Sequence, residues 1–188
     1  LGLAVVTSFI GNGVEILIHR CLEATGGTSA NLHTRALAVF LDSYGENPTA
    51  LTRPYAGVLD TLEGLASSGI RLGICTNKPT GPARQICDLL SLTSYFAAIC
   101  GAEPDQAKKP DAQPLLHTIA RLGGVPEQTL YVGDSGVDAQ TAANAHVAFS
   151  LFTGGYLKGP ASDVSCVHLF EHWDRHEMGA LVAGTLVH

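Results

Sequence analysis

Short apolar segments alternate with helical segments beyond residue 53 of this chain, and this alternation restricts the fold more than any other feature. The predicted strands cover residues 70–76, 95–101, 129–133, 148–153 and 164–167. The predicted helices begin near residues 79, 112 and 137, and a last helix runs through residue 181. Strand, helix and strand in succession favour a parallel sheet with crossover helices. We therefore predict an α/β domain with an open, parallel, Rossmann-like sheet over residues 53–188.

The first 52 residues show a different pattern, in which apolar side chains recur at helical spacing. One set consists of Val14, Leu17, Ile18, Cys21 and Leu22, and a second of Leu32, Ala36, Leu37, Phe40 and Leu41. The segment Gly26–Ser29 is rich in turn-forming residues and separates the two sets. We predict a small helical module over residues 1–52, with the boundary in the proline-containing stretch 48–54.

Composition excludes several classes of protein. The net charge of −6 argues against a nucleic-acid surface, because binding to a phosphate backbone needs clustered Lys and Arg, which this sequence lacks. No apolar run approaches the roughly 20 residues that span a bilayer. The opening residues 1–10 are apolar but lack a basic leader, so we predict no targeting role.

Five cysteines without paired spacing indicate reduced thiols. We expect a cytoplasmic protein that is a monomer or a homodimer.

The segment Tyr131–Asp138 predicts a metal site. An apolar strand enters a glycine turn that is followed by Asp134 and Asp138, which are four residues apart. At a helix start this spacing places both carboxylates on one face, where each raises the pKa of the other unless a divalent cation neutralises them. The alternative is structural, with Asp134 as a helix cap and Asp138 as a solvated acid of the first turn.

Two further polar clusters follow apolar runs. Thr76, Asn77 and Lys78 stand at the end of a predicted strand, and Lys108 and Lys109 precede a predicted helix. The carboxyl ends of parallel strands lie at one edge of a sheet, so distant clusters meet there. We predict a phosphate site beside the metal, in which Lys109 is the functional amine and Lys108 a solvated neighbour.

The same three clusters carry a resemblance to a known family. Thr-Asn-Lys-Pro at 76–79, Lys-Lys-Pro at 108–110 and Gly-Asp-Ser-x-x-Asp at 133–138 resemble, in this order, three motifs of haloacid-dehalogenase-type phosphatases. The segment Phe9–Gly13 and the Leu-Ile-His-Arg at 17–20 look like the helical cap of the phosphoglycolate phosphatase branch. Three ordered motifs together are far more specific than any one of them.

The resemblance implies Mg²⁺-dependent hydrolysis of a phosphomonoester through an aspartyl-phosphate intermediate. It implies that the Thr76 hydroxyl and the Asn77 backbone N–H bind the phosphoryl group. Lys109 would hold the phosphoryl charge and orient the nucleophile. Asp134 would bind Mg²⁺ directly, and Asp138 would act on the metal through water or through a neighbouring ligand.

The implied substrate is a small phosphorylated metabolite, with 2-phosphoglycolate as the leading candidate. Lys78 joins the expected substrate-binding residues because it belongs to the first motif. In the helical module, Gly11, Asn12 and Gly13 form a turn that could contact the substrate, and Asn12 or Arg20 could meet a carboxylate. The alternative is that the two glycines only permit a tight turn.

One departure from the family is an absence. Family members begin with a strand that ends in Asp-x-Asp-Gly-Thr and supplies the attacking carboxylate, and this sequence contains no such segment. In the family that strand lies in the middle of the sheet, between the strands that end at Thr76 and Asp134. We therefore expect that an N-terminal segment has been lost from this sequence and that these 188 residues alone are inactive. A smaller departure is His146, at a turn position where relatives carry glycine.

Several alternatives stay open at this level. Within the family, the activity could be that of a sugar-phosphate phosphatase or a phosphoglucomutase-like enzyme, and a halide-releasing dehalogenase is disfavoured. Outside enzymes, the chain could be a non-catalytic phosphate-binding scaffold. His168, His172 and His176 at four-residue spacing could bind a transition metal on the last helix, although surface histidines need no ligand. Cys75 is expected to be a packing residue and not a nucleophile.

Overall fold

The structure, a computed structural model, describes residues 1–186, and the chain divides into two compact units between Thr52 and Arg53. Within the described residues there are eight α-helices and five β-strands. The helices are α1 (Leu3–Ser8), α2 (Val14–Glu23), α3 (Ala30–Glu46), α4 (Val58–Ser67), α5 (Thr80–Leu89), α6 (Gln113–Arg121), α7 (Gly136–Ala145) and α8 (Arg175–Leu186). The strands are β1 (Leu72–Pro79), β2 (Phe96–Ala102), β3 (Leu130–Gly133), β4 (Ala148–Phe152) and β5 (His168–Phe170). No described helix combines the length and the apolar character that crossing a membrane requires.

The first unit is built from α1, α2 and α3. Ser29 begins α3 as its N-cap, and its hydroxyl accepts a hydrogen bond from the Leu32 N–H at 3.2 Å. Ile18 is the buried residue of α2. The short helix α1 lies within the predicted helical module but before the first of the two segments whose apolar spacing is helical. Describing this unit as a cap stays a prediction.

The second unit is α/β, and all of its paired strands run parallel. Strand β1 pairs with β2, and β4 lies between β3 and β5. The helices α5, α6 and α7 separate the first four strands, as crossover connections require. The predicted parallel α/β class is confirmed. The strands form two separate sheets, however, and not one continuous sheet.

The core of the second unit lies on the three-stranded sheet. Strand β4 is its centre, and Leu151 there has no exposed surface. Leu115 and Ile119 of α6 pack with Tyr131 and Phe149 in the largest apolar cluster. A second cluster joins Phe152, Phe170 and Met178. Because β4 is covered on both faces, its sequence is a continuous run of mostly apolar side chains, as expected of a buried parallel strand.

An apolar cavity of 630 Å³ separates the two sheets and is called the slot here. Its walls include Leu72–Cys75 of β1 and Leu130–Val132 of β3, together with residues of α4, α6 and α8. The strand order leaves one edge of β1 and one edge of β3 without a partner strand among residues 1–186. Unpaired strand edges hold backbone donors and acceptors that a further strand could satisfy.

The structure corrects two predictions near the C-terminus. The predicted strand at 164–167 is wrong, since β5 spans His168–Phe170, and Val164 and Cys166 are apolar because they pack against the main core cluster from a loop. The last helix runs to Leu186 and not to 181. At the end of α7, His146 adopts the left-handed conformation, with φ of 54°. This is the conformation expected of a turn position at which family members carry glycine.

Candidate active site

The loop between β3 and α7 holds Asp134 and Asp138. Strand β3 ends at Gly133, and Ser135 caps α7 by accepting a hydrogen bond from the Asp138 N–H at 3.3 Å. A Cβ atom on Gly133 would lie 2.4 Å from the Asp138 Cβ, so this close approach requires glycine. The turn therefore fixes Asp138 against the end of β3.

Both oxygens of the buried Asp138 carboxylate accept hydrogen bonds from the protein. Oδ1 accepts from Lys109 Nζ at 2.6 Å and from the Tyr131 hydroxyl at 2.8 Å. Oδ2 accepts from the Ser135 hydroxyl at 2.6 Å and from the Asp134 N–H at 3.3 Å. Burial opposes the charged form, but Lys109 and these donors outweigh it and hold the pKa of the Asp138 carboxyl below its usual value.

The pKa of the Asp134 carboxyl shifts in the opposite direction. Burial, followed by the nearby Asp138 charge, raises the pKa of the Asp134 carboxyl, although the Tyr156 N–H and Lys109 partly offset both effects. The carboxylate lies so close to Gly155 that a Cβ there would be 2.1 Å from Oδ2. Asp134 is thus a half-buried acid whose charge is incompletely neutralised by the described residues, as expected of a carboxylate that binds a cation.

Lys109 is held at its charged end by two elements. Its side chain is 11% exposed, and Nζ donates to Asp138 Oδ1 and, at 2.9 Å, to the Tyr131 hydroxyl. Tyr131 in turn donates to Asp138, so the three groups form a closed triangle. Burial, followed by the Asp138 charge, raises the pKa of Tyr131 far above its usual value, which keeps the hydroxyl proton in place.

Tyr131 belongs to the site, although no motif in the sequence predicts it. It lies within an apolar strand and also packs there, since its ring lies 6.0 Å from that of Phe149. The available signal was chemical: a buried tyrosine hydroxyl needs a hydrogen-bond partner, and here the strand leads directly to the carboxylates.

The end of β1 contributes Thr76, Asn77 and Lys78. The Thr76 hydroxyl oxygen accepts from the Lys78 N–H at 3.1 Å, and a hydroxyl retains a proton that can be donated to a ligand. The Asn77 carboxamide pairs with the main chain of Lys109: Oδ1 accepts from the Lys109 N–H at 2.8 Å, and Nδ2 donates to its carbonyl at 3.0 Å. These contacts bring the end of β1 to Lys109.

The three predicted clusters of the second unit therefore converge. Contacts run from Asn77 to Lys109, from Lys109 to Asp138 and from Asp138 to the main chain of Asp134. The predicted roles of the individual side chains in binding phosphate or metal stay predictions.

The predicted residues of the first unit also lie together. Gly11 and Gly13 have φ of 121° and 92°, so both use conformations that favour glycine. Arg20 Nη1 donates to the Phe9 carbonyl and to Asn12 Oδ1, both at 3.2 Å. The guanidinium thus stabilises the turn that contains Asn12. A substrate contact by these residues stays a prediction.

The histidine hypothesis for the last helix is wrong in its geometry. Helix α8 begins only at Arg175, so His168 lies in β5, His172 precedes the helix, and only His176 belongs to it. His168 Nε2 lies 2.9 Å from Glu177 Oε1. Within the described part of the chain, no three His, Cys, Asp or Glu side chains are grouped as metal ligands.

Cys75 lines the slot as a partly buried packing residue of β1. Burial is the largest influence on its thiol and raises the pKa above the ordinary value, although Lys109 acts in the other direction. A thiol with a raised pKa is a poor nucleophile at neutral pH, which agrees with its predicted packing role.

Comparison with known proteins gives consistent matches along most of the chain. A sequence profile described as haloacid dehalogenase-like hydrolase matches residues 5–152. A protein named phosphoglycolate phosphatase from Cereibacter sphaeroides is 43% identical over 173 residues, which cover 92% of this chain and 78% of that protein. A protein of the same name from Rhodospirillum rubrum is 36% identical over 173 residues, with 89% and 72% covered.

Solved structures agree with these matches. The crystal structure of a predicted phosphoglycolate phosphatase from Haemophilus somnus 129PT superposes with a TM-score of 0.87 at 27% identity, covering 96% of this chain and 82% of that one. A haloacid dehalogenase-like hydrolase from Bacteroides fragilis gives a TM-score of 0.75 at 28% identity, with 94% and 83% covered.

Proposed function

This chain belongs to the haloacid dehalogenase-like hydrolase family, and from that premise we propose that it acts as a Mg²⁺-dependent phosphatase on small phosphorylated metabolites. The leading candidate substrate is 2-phosphoglycolate, after the name shared by the Cereibacter sphaeroides and Rhodospirillum rubrum relatives. A cytoplasmic location and a monomeric or dimeric state stay predictions.

The observation that carries the proposal is the ion pair of Lys109 with Asp138, at 2.6 Å, next to Asp134, whose main-chain N–H donates to the same Asp138 carboxylate. Phosphoryl transfer needs a site that holds the three equatorial oxygens and neutralises the charge that develops on them. An ammonium fixed by Asp138 in the loop that also holds Asp134, at the carboxyl ends of β1 and β3, meets this need. The Thr76 hydroxyl and the Asn77 N–H supply neutral donors at the same edge of the sheet.

The side chains around Asp134 fit a magnesium ion. Mg²⁺ is usually bound through one or two carboxylates, with water and substrate phosphate completing its shell. Asp134 offers such a carboxylate, and its raised pKa indicates that the protein alone leaves its charge poorly compensated. When bound, the metal would neutralise charge on the phosphoryl oxygens. Asp138 has both oxygens engaged by protein donors, so we assign it to orienting Lys109 and the Asp134 loop, with contact to the metal only through water.

We also propose that these 188 residues have no turnover by themselves. The sequence contains no Asp-x-Asp segment, so the attacking carboxylate expected of the family is not among its residues. The slot between β1 and β3 supports this interpretation, because a strand running through it would deliver its last residues to Thr76, Lys109 and Asp134. The same absence is what favours the second candidate function, a non-catalytic phosphate-binding scaffold.

The test compares three polypeptides. One is the 188-residue chain, one carries a strand of the Asp-x-Asp-Gly-Thr type ahead of Leu1, and one carries the same strand with its first Asp replaced by Asn. We expect only the second to release phosphate from 2-phosphoglycolate, and EDTA to abolish the activity. A panel with glucose 1-phosphate and other sugar phosphates separates the phosphoglycolate activity from the alternatives within the family.

Two results would contradict the proposal. Turnover by the 188-residue chain would refute its inactivity. If the extended polypeptide folds and binds phosphate but hydrolyses no phosphomonoester, the scaffold function replaces the enzyme.

A further inference from the structure

The Asn77 carboxamide makes a two-point contact with the main chain of Lys109, 32 residues further along the sequence. Its oxygen accepts from the Lys109 N–H at 2.8 Å, and its nitrogen donates to the Lys109 carbonyl at 3.0 Å. A carboxamide presents a donor and an acceptor side by side, as a peptide group does, so this contact resembles one rung of a strand ladder. It fixes the main-chain position and orientation of Lys109.

We propose that Asn77 is a positioning residue, whose side chain determines where the Lys109 ammonium lies. The inference rests on the proposed function, in which Lys109 binds the phosphoryl group. This role belongs to the Asn77 side chain. It is separate from the binding of phosphate that is expected of the Asn77 backbone N–H.

Lysine needs such support because its side chain is long and flexible. Four rotatable bonds separate Cα from the ammonium, so contacts at Nζ alone allow many arrangements of the chain. Lys109 is held at both ends. Asn77, from β1, holds the main chain, while Tyr131 of β3 and Asp138 of α7 hold Nζ at 2.9 and 2.6 Å. Lys109 thereby joins the end of β1 to β3 and α7 at the carboxyl edge of the sheets.

A neighbouring contact provides a matched control. The exposed Asn144 of α7 donates from Nδ2 to the Pro110 carbonyl at 2.8 Å. It anchors the same loop through the same chemical group, but one residue beyond Lys109. If Asn77 served only to hold the loop, Asn77→Ala and Asn144→Ala would have similar consequences.

The experiment is a double-mutant cycle in the full chain, read by calorimetric binding of inorganic phosphate in the presence of Mg²⁺. Asn77→Ala should weaken phosphate affinity about fivefold, as expected for loss of a hydrogen-bonded support. In a Lys109→Ala background the same change should have no further effect, because Asn77 acts through Lys109. Asn144→Ala should bind phosphate as the unmodified chain does. Losses that multiply in the double variant would overturn the proposal and indicate that the Asn77 side chain contacts phosphate itself.

A second measurement does not depend on phosphate binding. The rate at which acetic anhydride acylates Lys109, determined by peptide mass spectrometry relative to the exposed Lys158, reports how firmly the ammonium is held. Asn77→Ala should increase this relative rate, and Asn144→Ala should not. If the unmodified chain binds no phosphate but the Lys109 rate increases as expected, the proposed function fails and the positioning role stands. An unchanged rate overturns the positioning role.

Folding is monitored by the thermal midpoint of each variant. If Asn77→Ala does not fold, Asn77→Ser takes its place in both measurements, since its hydroxyl is too short to reach both the N–H and the carbonyl of Lys109. The expected and contradicting outcomes are the same.

Discussion

The hydroxyl of Tyr131, in the middle of β3, donates a hydrogen bond of 2.8 Å to the carboxylate of Asp138 in the first turn of α7. The same hydroxyl accepts from Lys109 Nζ at 2.9 Å. A strand residue that also packs in the core thus connects the ammonium and the carboxylate of the candidate site. Stability and site geometry are coupled through this one side chain.

Tyr131→Phe tests that coupling. The substitution preserves the ring and removes the hydroxyl, which leaves the buried Asp138 with one donor fewer. We expect the free energy of unfolding to fall by about 1.5–3 kcal/mol, the range for hydrogen bonds to charged groups. Urea denaturation measures the change, with Tyr95→Phe, a half-buried tyrosine before β2, as the control. Equal losses in the two variants would contradict a special role for Tyr131.

Substitutions of Lys109 and Asp138 should have strongly non-additive effects on the free energy of unfolding. Each side chain is about one-tenth exposed, at 11% and 8%. Asp138→Asn or Lys109→Met leaves a largely buried charge without its partner, which typically lowers the free energy of unfolding by about 3–5 kcal/mol. The free energy of unfolding of the double variant should fall by much less than the sum of the two single-variant losses. If its loss equals that sum, the two charges do not interact.

Acid titration provides a separate test of the same pair. The pKa of Asp138 is lowered in the folded state, so its stabilising contribution is complete above the unfolded value of about 3.9 and is lost as the pH falls through the folded value. The unmodified chain should therefore lose more stability than Asp138→Asn when acidified below about pH 4. Urea denaturation across this range measures both slopes, and parallel slopes would contradict the assignment.

Asp134→Asn should separate stability from metal binding. The pKa of Asp134 is raised in the folded state, so the folded form binds protons more readily and its stability falls as the pH rises past the unfolded value. At neutral pH without metal, neutralising this side chain should raise the thermal midpoint. Adding Mg²⁺ should raise the midpoint of the unmodified chain and leave that of the variant unchanged. The same Mg²⁺ response in both proteins would remove Asp134 from the metal site.

Sequence patterns predicted most of the elements around the site because those elements obey simple rules. Apolar runs gave β1 to β4, and the acidic motif after β3 marked the loop that holds Asp134. The failures have physical causes. Strand β5 has only three residues, and the apolar Val164 beside it packs from a loop. The side-chain contacts of Asn77 and Tyr131 with Lys109 join positions 32 and 22 residues apart, and no local pattern encodes such pairings.

Gly155 should tolerate no side chain, because the Asp134 carboxylate occupies the space. A Cβ on Gly155 would lie 2.1 Å from Asp134 Oδ2 and 2.4 Å from its Cβ. Gly155→Ala must displace either the loop or the carboxylate, at a cost of about 1–3 kcal/mol for an overpacked position. It should also weaken the Mg²⁺ response in thermal unfolding. Gly136→Ala, where no atom lies within 4 Å, is the matched control, and it should neither lower the stability nor change the Mg²⁺ response.

The slot leads to the last prediction. One edge of β1 and one edge of β3 have no partner strand within the described residues. Both strands line the slot, and each runs parallel to its neighbour in its own sheet. A strand buried on both faces of a parallel sheet is a nearly continuous apolar run. A peptide with five or six apolar residues, the usual length of a strand, followed by Asp-x-Asp matches the apolar character of the residues that line the slot.

Adding this peptide should therefore stabilise the 188-residue chain, by an amount that rises with the logarithm of the peptide concentration above Kd. Binding to the folded state alone raises the free energy of unfolding by about 2.7 kcal/mol at a peptide concentration of 100 times Kd. Thermal unfolding at several concentrations measures the shift. A peptide of the same composition with proline at its centre is the control, because proline removes a ladder hydrogen bond and is excluded from central strands. Equal shifts with both peptides would show that the peptide adheres to apolar surface and does not pair with β1 and β3.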